Sequence, residues 1–229
     1  MMAYGPLAGV YDELTGDVAY EKRADYLERL FSRSRIPVHT VLDLACGTGT
    51  MTALLTRRGY ELIAVDASPD MLAQAREKAA DLVGEPPVFL NQSMPELDLY
   101  GTVDAAVCCL DSLNYLTRPQ DVRRTFQRLR LFIAPGGLLA FDVNAAAYLR
   151  SLDGQMFLDE REDVYCVWRT EYGKRSGICT YGVDLFTLRP DGTWDRSQEE
   201  HRQRAYEVEQ LRAWLLEAGF THIPVSYTH

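Results

Sequence analysis

The chain has 229 residues, 47% apolar and 25% charged, a balance that is ordinary for a folded domain and excludes an intrinsically disordered chain. The formal net charge of −9 speaks against nucleic acid as the main partner, because proteins that track phosphates usually present a basic face. Five cysteines without a C-x-x-C pair, an opening without a signal-peptide pattern and the lack of a membrane-length apolar run predict a cytoplasmic protein with no membrane partner.

The first 143 residues alternate helical and apolar patterns of the kind that build a parallel sheet. Helical spacing is found at residues 20–32, 50–58, 68–83 and 120–133, and the third of these begins with a strong capping sequence, Ser68-Pro69-Asp70. Short apolar strands are predicted at residues 40–45, 61–66, 88–90, 104–110 and 138–143, with a turn at 135–137 before the last. This order predicts an α/β fold, a Rossmann-like, doubly wound and mostly parallel sheet with helices on both faces.

After residue 144 the pattern changes to alternating strands, which predicts an antiparallel β insertion after the fifth strand. Its strands are expected at residues 164–170, 178–186 and 199–206, followed by a helix at 208–217 and one strand at 223–227. Three parts are therefore predicted: an N-terminal helical lid (1–39), a ligand-binding Rossmann-like domain (40–147 and 207–229), and an insertion that covers the substrate site (148–206).

The first strand ends in Asp43 and runs into a turn that contains Gly47 and Gly49, and the second strand ends in Asp66. Glycines at such a turn let a ligand approach the backbone beside a helix amino terminus. A dinucleotide is disfavoured, because Thr52 stands where a third glycine belongs and the Asp43 carboxylate would repel a phosphate. S-adenosylmethionine fits better, since it carries an ammonium and a sulfonium, and Asp66 can accept hydrogen bonds from both of its ribose hydroxyls.

With these residues the chain resembles the class I S-adenosylmethionine-dependent methyltransferases, and most closely small bacterial members of that family. The likeness rests on a Tyr11-Asp12 pair, the V-L-D-L-A-C-G-T-G-T turn at 41–50 and the D-S-L-N-Y-L stretch at 111–116, and it covers nearly the whole chain. Some relatives are N-methyltransferases that act on small amines and amino sugars. The resemblance implies an enzyme that uses S-adenosyl-L-methionine and releases S-adenosyl-L-homocysteine.

The resemblance also implies a set of donor-binding residues. The backbone at Ala45, Gly47 and Gly49, with Cys46 in the same turn, would hold the methionine part of the donor, and Asp43 would support its ammonium. Asp66 would bind the ribose. The remaining contacts would come from Ala67 and Met71 beside the adenine, Gln92 and Ser93 at its edge, Leu110 under the methionine end, and Tyr11 from the N-terminal lid.

Two features depart from the family pattern. Many relatives have aspartate where this chain has Ser93, so the contact with the adenine amino group would be neutral and weaker. The family sheet usually ends with two antiparallel strands after the last helix, whereas only residues 223–227 fit such a strand here.

The substrate side is predicted from polar and aromatic residues at the carboxyl ends of strands, which face the crevice in open α/β sheets. The binding candidates are Asp111, Asn114, Tyr115, Asn144 and Trp168. His201 and Asp142 are the candidate bases for an acceptor amine, and a tyrosine could serve instead. Structural interpretations stay open: core packing for Tyr115 and Trp168, a satisfied structural histidine at His201, and a loop-orienting role for Asp142.

The preferred hypothesis is a methyltransferase for a small-molecule acceptor with a nitrogen or oxygen nucleophile, acting as a monomer or homodimer. The alternatives are an RNA or protein methyltransferase on the same fold, a non-catalytic S-adenosylmethionine-binding module, and a nicotinamide oxidoreductase. The four histidines lack metal-ligand spacing, so no metal site is predicted.

Overall fold

A computed structural model of the chain describes residues 5–226, and its larger sheet is parallel throughout. The strands are β1 (Thr40–Leu44), β2 (Glu61–Asp66), β3 (Val88–Asn91), β4 (Val103–Cys108) and β5 (Ile133–Phe141), and their spatial order is β3-β2-β1-β4-β5. The strand order reverses between β1 and β4, and the carboxyl ends of both strands lie at the same edge. Such a switch point opens a crevice for a ligand.

Helices cover both faces of this sheet, because the side chains of each strand alternate between two apolar layers. The helices are α1 (Tyr11–Leu14), α2 (Tyr20–Phe31), α3 (Thr50–Arg57), α4 (Pro69–Ala79), α5 (Pro119–Phe132), α6 (Ala146–Ser151) and α7 (Val208–Glu217). Val41 packs with α2 and α3 on one face, whereas Leu42 and Leu44 pack with α5 and α7 on the other. None of the helices in residues 5–226 is long and apolar enough to cross a membrane.

The insertion is a separate antiparallel sheet of four strands, which confirms the predicted change of architecture after β5. Its strands are β6 (Met156–Glu160), β7 (Val164–Gly173), β8 (Ile178–Leu188) and β9 (Trp194–Arg204), in the order β6-β7-β8-β9. One face of this sheet packs on the N-terminal segment, where Leu7 and Leu14 join Val164, Cys166 and Val183 in an apolar cluster. Residues 5–14 are thereby held between the two sheets.

Strand β6 was not predicted, and several predicted boundaries were wrong: β7 extends to Gly173, and β9 covers Trp194–Arg204 instead of residues 199–206. Three consecutive apolar side chains of β6 (Met156, Phe157 and Leu158) are exposed at the sheet edge, so the segment lacks the alternation that marks a half-buried strand. Helix α4 ends at Ala79 rather than near residue 83, because i to i+3 hydrogen bonds tighten the chain after Glu77.

The predicted turn at 135–137 is a bulge inside β5. The register jumps there from the pair Val103–Ile133 to the pair Ala105–Leu138. Gly137 is required at this point, since a Cβ atom would meet the carbonyl oxygen of Asp104.

The predicted final strand is not formed over residues 223–226, and Tyr227 lies outside the described residues. Arg212 of α7 donates a hydrogen bond of 2.8 Å to the carbonyl oxygen of Ile223, so this segment is attached to the helix and not to the sheet.

Candidate functional site

A cavity of about 300 Å³ opens at the carboxyl ends of β1, β2 and β4. It lies at the switch point of the sheet and beneath the N-terminal segment. All but one of the predicted donor-binding residues line it: Tyr11, Asp43, Ala45, Cys46, Gly47, Asp66, Ala67, Met71, Gln92, Ser93 and Leu110. The residues predicted to bind the donor are therefore brought together around one cavity.

Backbone conformation sets the shape of the cavity floor. Ala45 and Leu110 follow the ends of β1 and β4, and both have positive φ angles, 61° and 57°, which are rare for residues with a side chain. Gly47 has a φ of 56°, and a Cβ atom placed on it would meet nothing within 4 Å. The backbone of this turn is therefore open to a ligand.

Gly49 is the predicted residue that does not line the cavity. Its φ is 73°, and an added Cβ atom would lie 2.8 Å from the Cβ of Ala75. The glycine lets α3 start in close contact with α4, so its place in the structure is a packing position. The expected contact of its backbone with the methionine part of a donor stays a prediction.

Asp43 is buried at the base of the cavity, with 2% of its surface exposed. Burial raises the pKa of its carboxyl group to about 6, a hydrogen bond from Thr52 opposes that rise, and the nearby Asp66 charge adds to it. Thr52 Oγ1 lies 2.5 Å from Asp43 Oδ2 and fixes the orientation of the carboxylate. Thr52 thus supports the base of the cavity, a role that its position in the glycine pattern did not predict.

Asp66 presents its carboxylate from the end of β2. One oxygen accepts from the backbone N–H of Gly47 at 2.9 Å, and the other accepts from Ser68 at 2.8 Å. Burial raises the pKa of Asp66, and these two backbone donors oppose the rise. Each carboxylate oxygen retains further acceptor capacity, so two hydroxyl groups of a ligand can be bound here.

The side wall near β3 contains Gln92 and Ser93. The Gln92 side chain is engaged with the backbone of Asp98 on both its amide atoms, at 3.0 and 2.8 Å. Ser93 donates to Glu96 at 2.6 Å, so its oxygen is oriented to accept a hydrogen bond from a ligand. Contacts from Gln92 to a ligand would therefore come from its backbone.

The N-terminal segment is fastened to the glycine turn by Asp12. Its carboxylate accepts from Thr48 at 2.6 Å and from Thr50 at 3.2 Å, and it forms an ion pair of 2.6 Å with Lys78. Burial alone would raise the pKa of Asp12, but the hydrogen bonds from Lys78 and Thr48 hold it below its usual value. Tyr20, which also lines the cavity, was missed by sequence reasoning, as were Thr48 and Lys78.

Replacing Asp12 by alanine should release the N-terminal segment from the glycine turn while leaving the rest of the fold intact. Because the ion pair is half exposed, the loss in global stability should stay within about 1 kcal/mol. Hydrogen exchange of the backbone amides at residues 6–14 should accelerate by about fivefold. Asp17→Ala changes an exposed acid in the turn just after this segment and serves as the control; equal exchange in both variants would contradict the assignment.

The substrate candidates after β4 separate into two groups. Tyr115 lines the cavity, together with Cys109 and Ser112, which sequence reasoning missed. Asn114 is fully buried, donates to the carbonyl oxygen of Arg204 at 2.9 Å, and accepts from the backbone of Asn144 at 2.9 Å. Neither Asn114 nor Asn144 lines the cavity, and their hydrogen bonds join the loops after β4 and β5 to β9.

Asp111 and Asp142 do not line the cavity. Asp142 accepts from the backbone N–H of Asp111 at 3.1 Å and forms an ion pair of 3.0 Å with Arg23. These contacts agree with the interpretation of Asp142 as a loop-orienting residue, and it does not line the cavity. Burial raises the pKa of Asp111 to about 7, a hydrogen bond from Gln203 opposes the rise, and the Asp142 charge adds to it.

His201 and Trp168 come from the inner face of the insertion. His201 is 1% exposed; its Nε2 lies 3.0 Å from Glu199 Oε2, and its Nδ1 lies 3.5 Å from the Tyr115 hydroxyl. Trp168 donates to Asp159 at 2.9 Å, and its ring lies 6.1 Å from that of His201. Neither residue forms part of the cavity wall, so His201 meets the cavity only through Tyr115.

Comparison with known proteins agrees with this geometry. Residues 41–137 match the family described as a methyltransferase domain. YqeM of Bacillus subtilis (strain 168), named as a methyltransferase, is 34% identical over 222 residues, which cover 96% of this chain and 87% of that protein.

Two solved structures share the fold. An S-adenosylmethionine-dependent methyltransferase from Clostridium acetobutylicum ATCC 824 superposes with a TM-score of 0.83 at 27% identity, covering 95% of this chain and 87% of that one. CalS10, an amino pentose methyltransferase from Micromonospora echinaspora with bound S-adenosylmethionine, superposes with a TM-score of 0.76 at 21% identity, covering 96% of this chain and 90% of that one. The sheet order, the carboxylates at the ends of β1 and β2, and these relatives lead to one conclusion: the chain belongs to the class I S-adenosylmethionine-dependent methyltransferases.

Proposed function

We propose that this methyltransferase acts on an amine of a small molecule and binds its donor in the cavity at the ends of β1, β2 and β4. The observation that carries the proposal is the charge of the cavity wall. The wall contains the carboxylates of Asp43 and Asp66, and among the described residues that line it there is neither lysine nor arginine. Such a wall favours a cationic ligand and disfavours a phosphate.

The residues of the cavity fit S-adenosylmethionine along its whole length. Asp66 would accept hydrogen bonds from the ribose hydroxyls, and the open backbone at Gly47 would lie against the methionine part. Asp43 would support the ammonium from below. Met71 and Ala67 would flank the adenine, with Ser93 and the backbone of Gln92 at its edge.

The sulfonium of S-adenosylmethionine supplies an activated methyl group, so the protein mainly has to position the acceptor and exclude water. Tyr11 and Tyr115 stand at the remaining wall of the cavity. Burial raises the pKa of Tyr11 above its usual value, which keeps its hydroxyl protonated as a hydrogen-bond donor. We assign residues 1–39 to a lid and residues 148–206 to a cover over the acceptor site.

The charge of the chain supports a small acceptor. Its formal net charge of −9 disfavours RNA, because proteins that track phosphates usually present a basic face. The likeness to CalS10, whose acceptor is an amino pentose by its name, supports an amine as the nucleophile.

The test is methyl transfer from radiolabelled S-adenosylmethionine to a panel of amines that includes glycine, ethanolamine and glucosamine. The control substrates are the same compounds with a hydroxyl group in place of the amine, total RNA, and a mixture of denatured proteins. Label in the amines alone is the expected result. Label in RNA or protein, or donor binding without transfer to any acceptor, would overturn the proposal in favour of a macromolecular substrate or a binding module.

Donor affinity should also depend on pH through Asp43. Its pKa of about 6 means that the carboxylate is protonated at pH 5 and no longer attracts an ammonium, so the Kd of S-adenosylhomocysteine should rise about tenfold between pH 7.5 and pH 5. Because that pKa lies above the unfolded value, this group stabilises the fold as the pH falls from about 6 to about 4, so unfolding does not explain the loss. Calorimetry on Asp43→Asn should give a flatter profile; an unchanged profile would contradict the assignment.

A further inference from the structure

Three buried polar side chains on the inner face of β9 are unusual, since that face of a covering sheet is normally apolar. Side chains alternate between the two faces along β9, so those of Glu199, His201 and Gln203 point inward. These residues are 8%, 1% and 4% exposed, respectively. Buried polar groups are tolerated when they are hydrogen bonded, and these three bind segments outside their own sheet. Glu199 accepts from the backbone N–H of Leu7 at 2.8 Å, and Gln203 donates to Asp111.

The contact between Glu199 and His201 determines where the imidazole carries its proton. An ionised carboxylate only accepts hydrogen bonds, and Glu199 uses one oxygen for the Leu7 amide and the other for His201 Nε2, at 3.0 Å. The neutral ring is therefore protonated on Nε2, and its Nδ1 is an acceptor. Tyr115 directs its hydroxyl at this Nδ1 from 3.5 Å, in an edge-on arrangement of the two rings.

We propose that Tyr115, His201 and Glu199 form a proton path that leads from the acceptor amine into the insertion. The inference rests on the proposed amine acceptor. Tyr115 is the catalytic residue, because it lines the cavity and can touch the acceptor. His201 and Glu199 are positioning residues, which act on the acceptor only through Tyr115.

The proton balance of this path is complete. An N–H bond of the acceptor ammonium breaks and leaves its electron pair on nitrogen. The proton goes to the Tyr115 oxygen, while the hydroxyl proton of Tyr115 passes to His201 Nδ1. The Glu199 carboxylate then stabilises the imidazolium. The freed electron pair on nitrogen forms the new bond to the methyl carbon. The bond between that carbon and sulfur breaks, and its electron pair stays with sulfur.

The surroundings of His201 suit this exchange. Glu199 faces it from β9 and Tyr115 from the turn after β4, and Tyr181 lies opposite it in register on β8. Trp168 from β7 adds an uncharged ring. The charge that the ring gains on protonation is thus met by the nearby carboxylate. The 3.5 Å contact with Tyr115 is expected to shorten when a ligand fills the cavity, as catalytic hydrogen bonds often do.

Nitrogen-15 NMR of the histidine rings tests the path without any acceptor. The His201 signals are assigned by their loss in His201→Gln, and the full chain is studied with S-adenosylhomocysteine present. We expect the Nε2–H tautomer at pH 8 in the wild-type protein and a loss of this tautomer preference in Glu199→Gln. An Nδ1–H tautomer in the wild-type protein would overturn the path, whether or not the variants fold.

Methyl transfer to the amine that the wild-type enzyme methylates fastest provides the second test. Tyr115→Phe should lower kcat about a hundredfold with the KM for the donor unchanged, and Glu199→Gln should move the acidic limb of the pH profile. Tyr148→Phe, an exposed tyrosine of α6, is the matched control. An unchanged kcat in Tyr115→Phe would overturn the path but leave the proposed function standing, whereas failure of every amine would overturn the proposed function and the path with it.

Discussion

Replacing Asp66 by alanine is expected to weaken the binding of S-adenosylhomocysteine about a hundredfold. Two hydrogen bonds from ribose hydroxyls to a carboxylate contribute roughly 1.5 kcal/mol or more each, and about 1.4 kcal/mol corresponds to a factor of ten in Kd. The variant also loses the acceptor that orients the Gly47 amide, so the methionine end should be affected as well. Isothermal calorimetry at pH 7.5 measures the change.

The control for this experiment lies on the same strand. Glu61 begins β2 at the opposite edge of the sheet, is exposed, and contacts Thr40 at 3.1 Å. Glu61→Ala should leave the Kd unchanged, and Asp66→Asn, which keeps one acceptor oxygen, should lie between the two. Equal affinities in Asp66→Ala and Glu61→Ala would show that the donor is held elsewhere.

The second large effect is expected on stability, from Gly49→Ala. The new methyl group would lie 2.8 Å from the Cβ of Ala75, and the φ of 73° is unfavourable for any residue with a side chain. Overpacking of this kind costs roughly 1–3 kcal/mol, and a left-handed conformation costs roughly 1–2 kcal/mol more. The free energy of unfolding should therefore fall by about 3 kcal/mol, a large part of the roughly 5–15 kcal/mol that stabilises a typical domain.

Gly47→Ala is the matched variant. It changes a glycine of the same turn, whose φ is 56° and whose added Cβ would meet nothing within 4 Å. This variant should therefore lose only about 1 kcal/mol of the free energy of unfolding, the cost of the left-handed conformation, because no overpacking is added. Urea unfolding of both variants compares them directly, and equal losses would contradict the packing role that the structure gives to Gly49.

The order of strands and helices could be predicted from the sequence because both layers of the parallel sheet are apolar. Residues such as Val41 and Leu42 belong to a continuous apolar run, and glycines or strong caps mark the helix ends. The site at the ends of β1 and β2 followed from the same pattern, since parallel strands bring Asp43 and Asp66 to one edge. In both cases the order of the residues along the chain was sufficient for the prediction.

The contacts that could not be predicted join distant segments. Gly49 packs against Ala75, which is 26 positions further along the chain and gives no local signal. Asp142 contacts Arg23 and the backbone of Asp111, which lie in other elements, so both of its interpretations stayed open in the sequence. The three polar side chains on the inner face of β9 could have been recognised in the sequence, because Glu199, His201 and Gln203 alternate with period two. Their hydrogen-bond partners come from elsewhere in the chain and could not.

A crystal structure with S-adenosylhomocysteine tests the central assignment most directly, because one map gives the position of the ribose, the adenine and the sulfur. We predict both ribose hydroxyls within hydrogen-bonding distance of Asp66, the amino-acid end over Gly47, and the sulfur directed towards Tyr115. A ligand bound outside the cavity, or a sulfur directed away from Tyr115, would contradict the assignment of donor and acceptor sites.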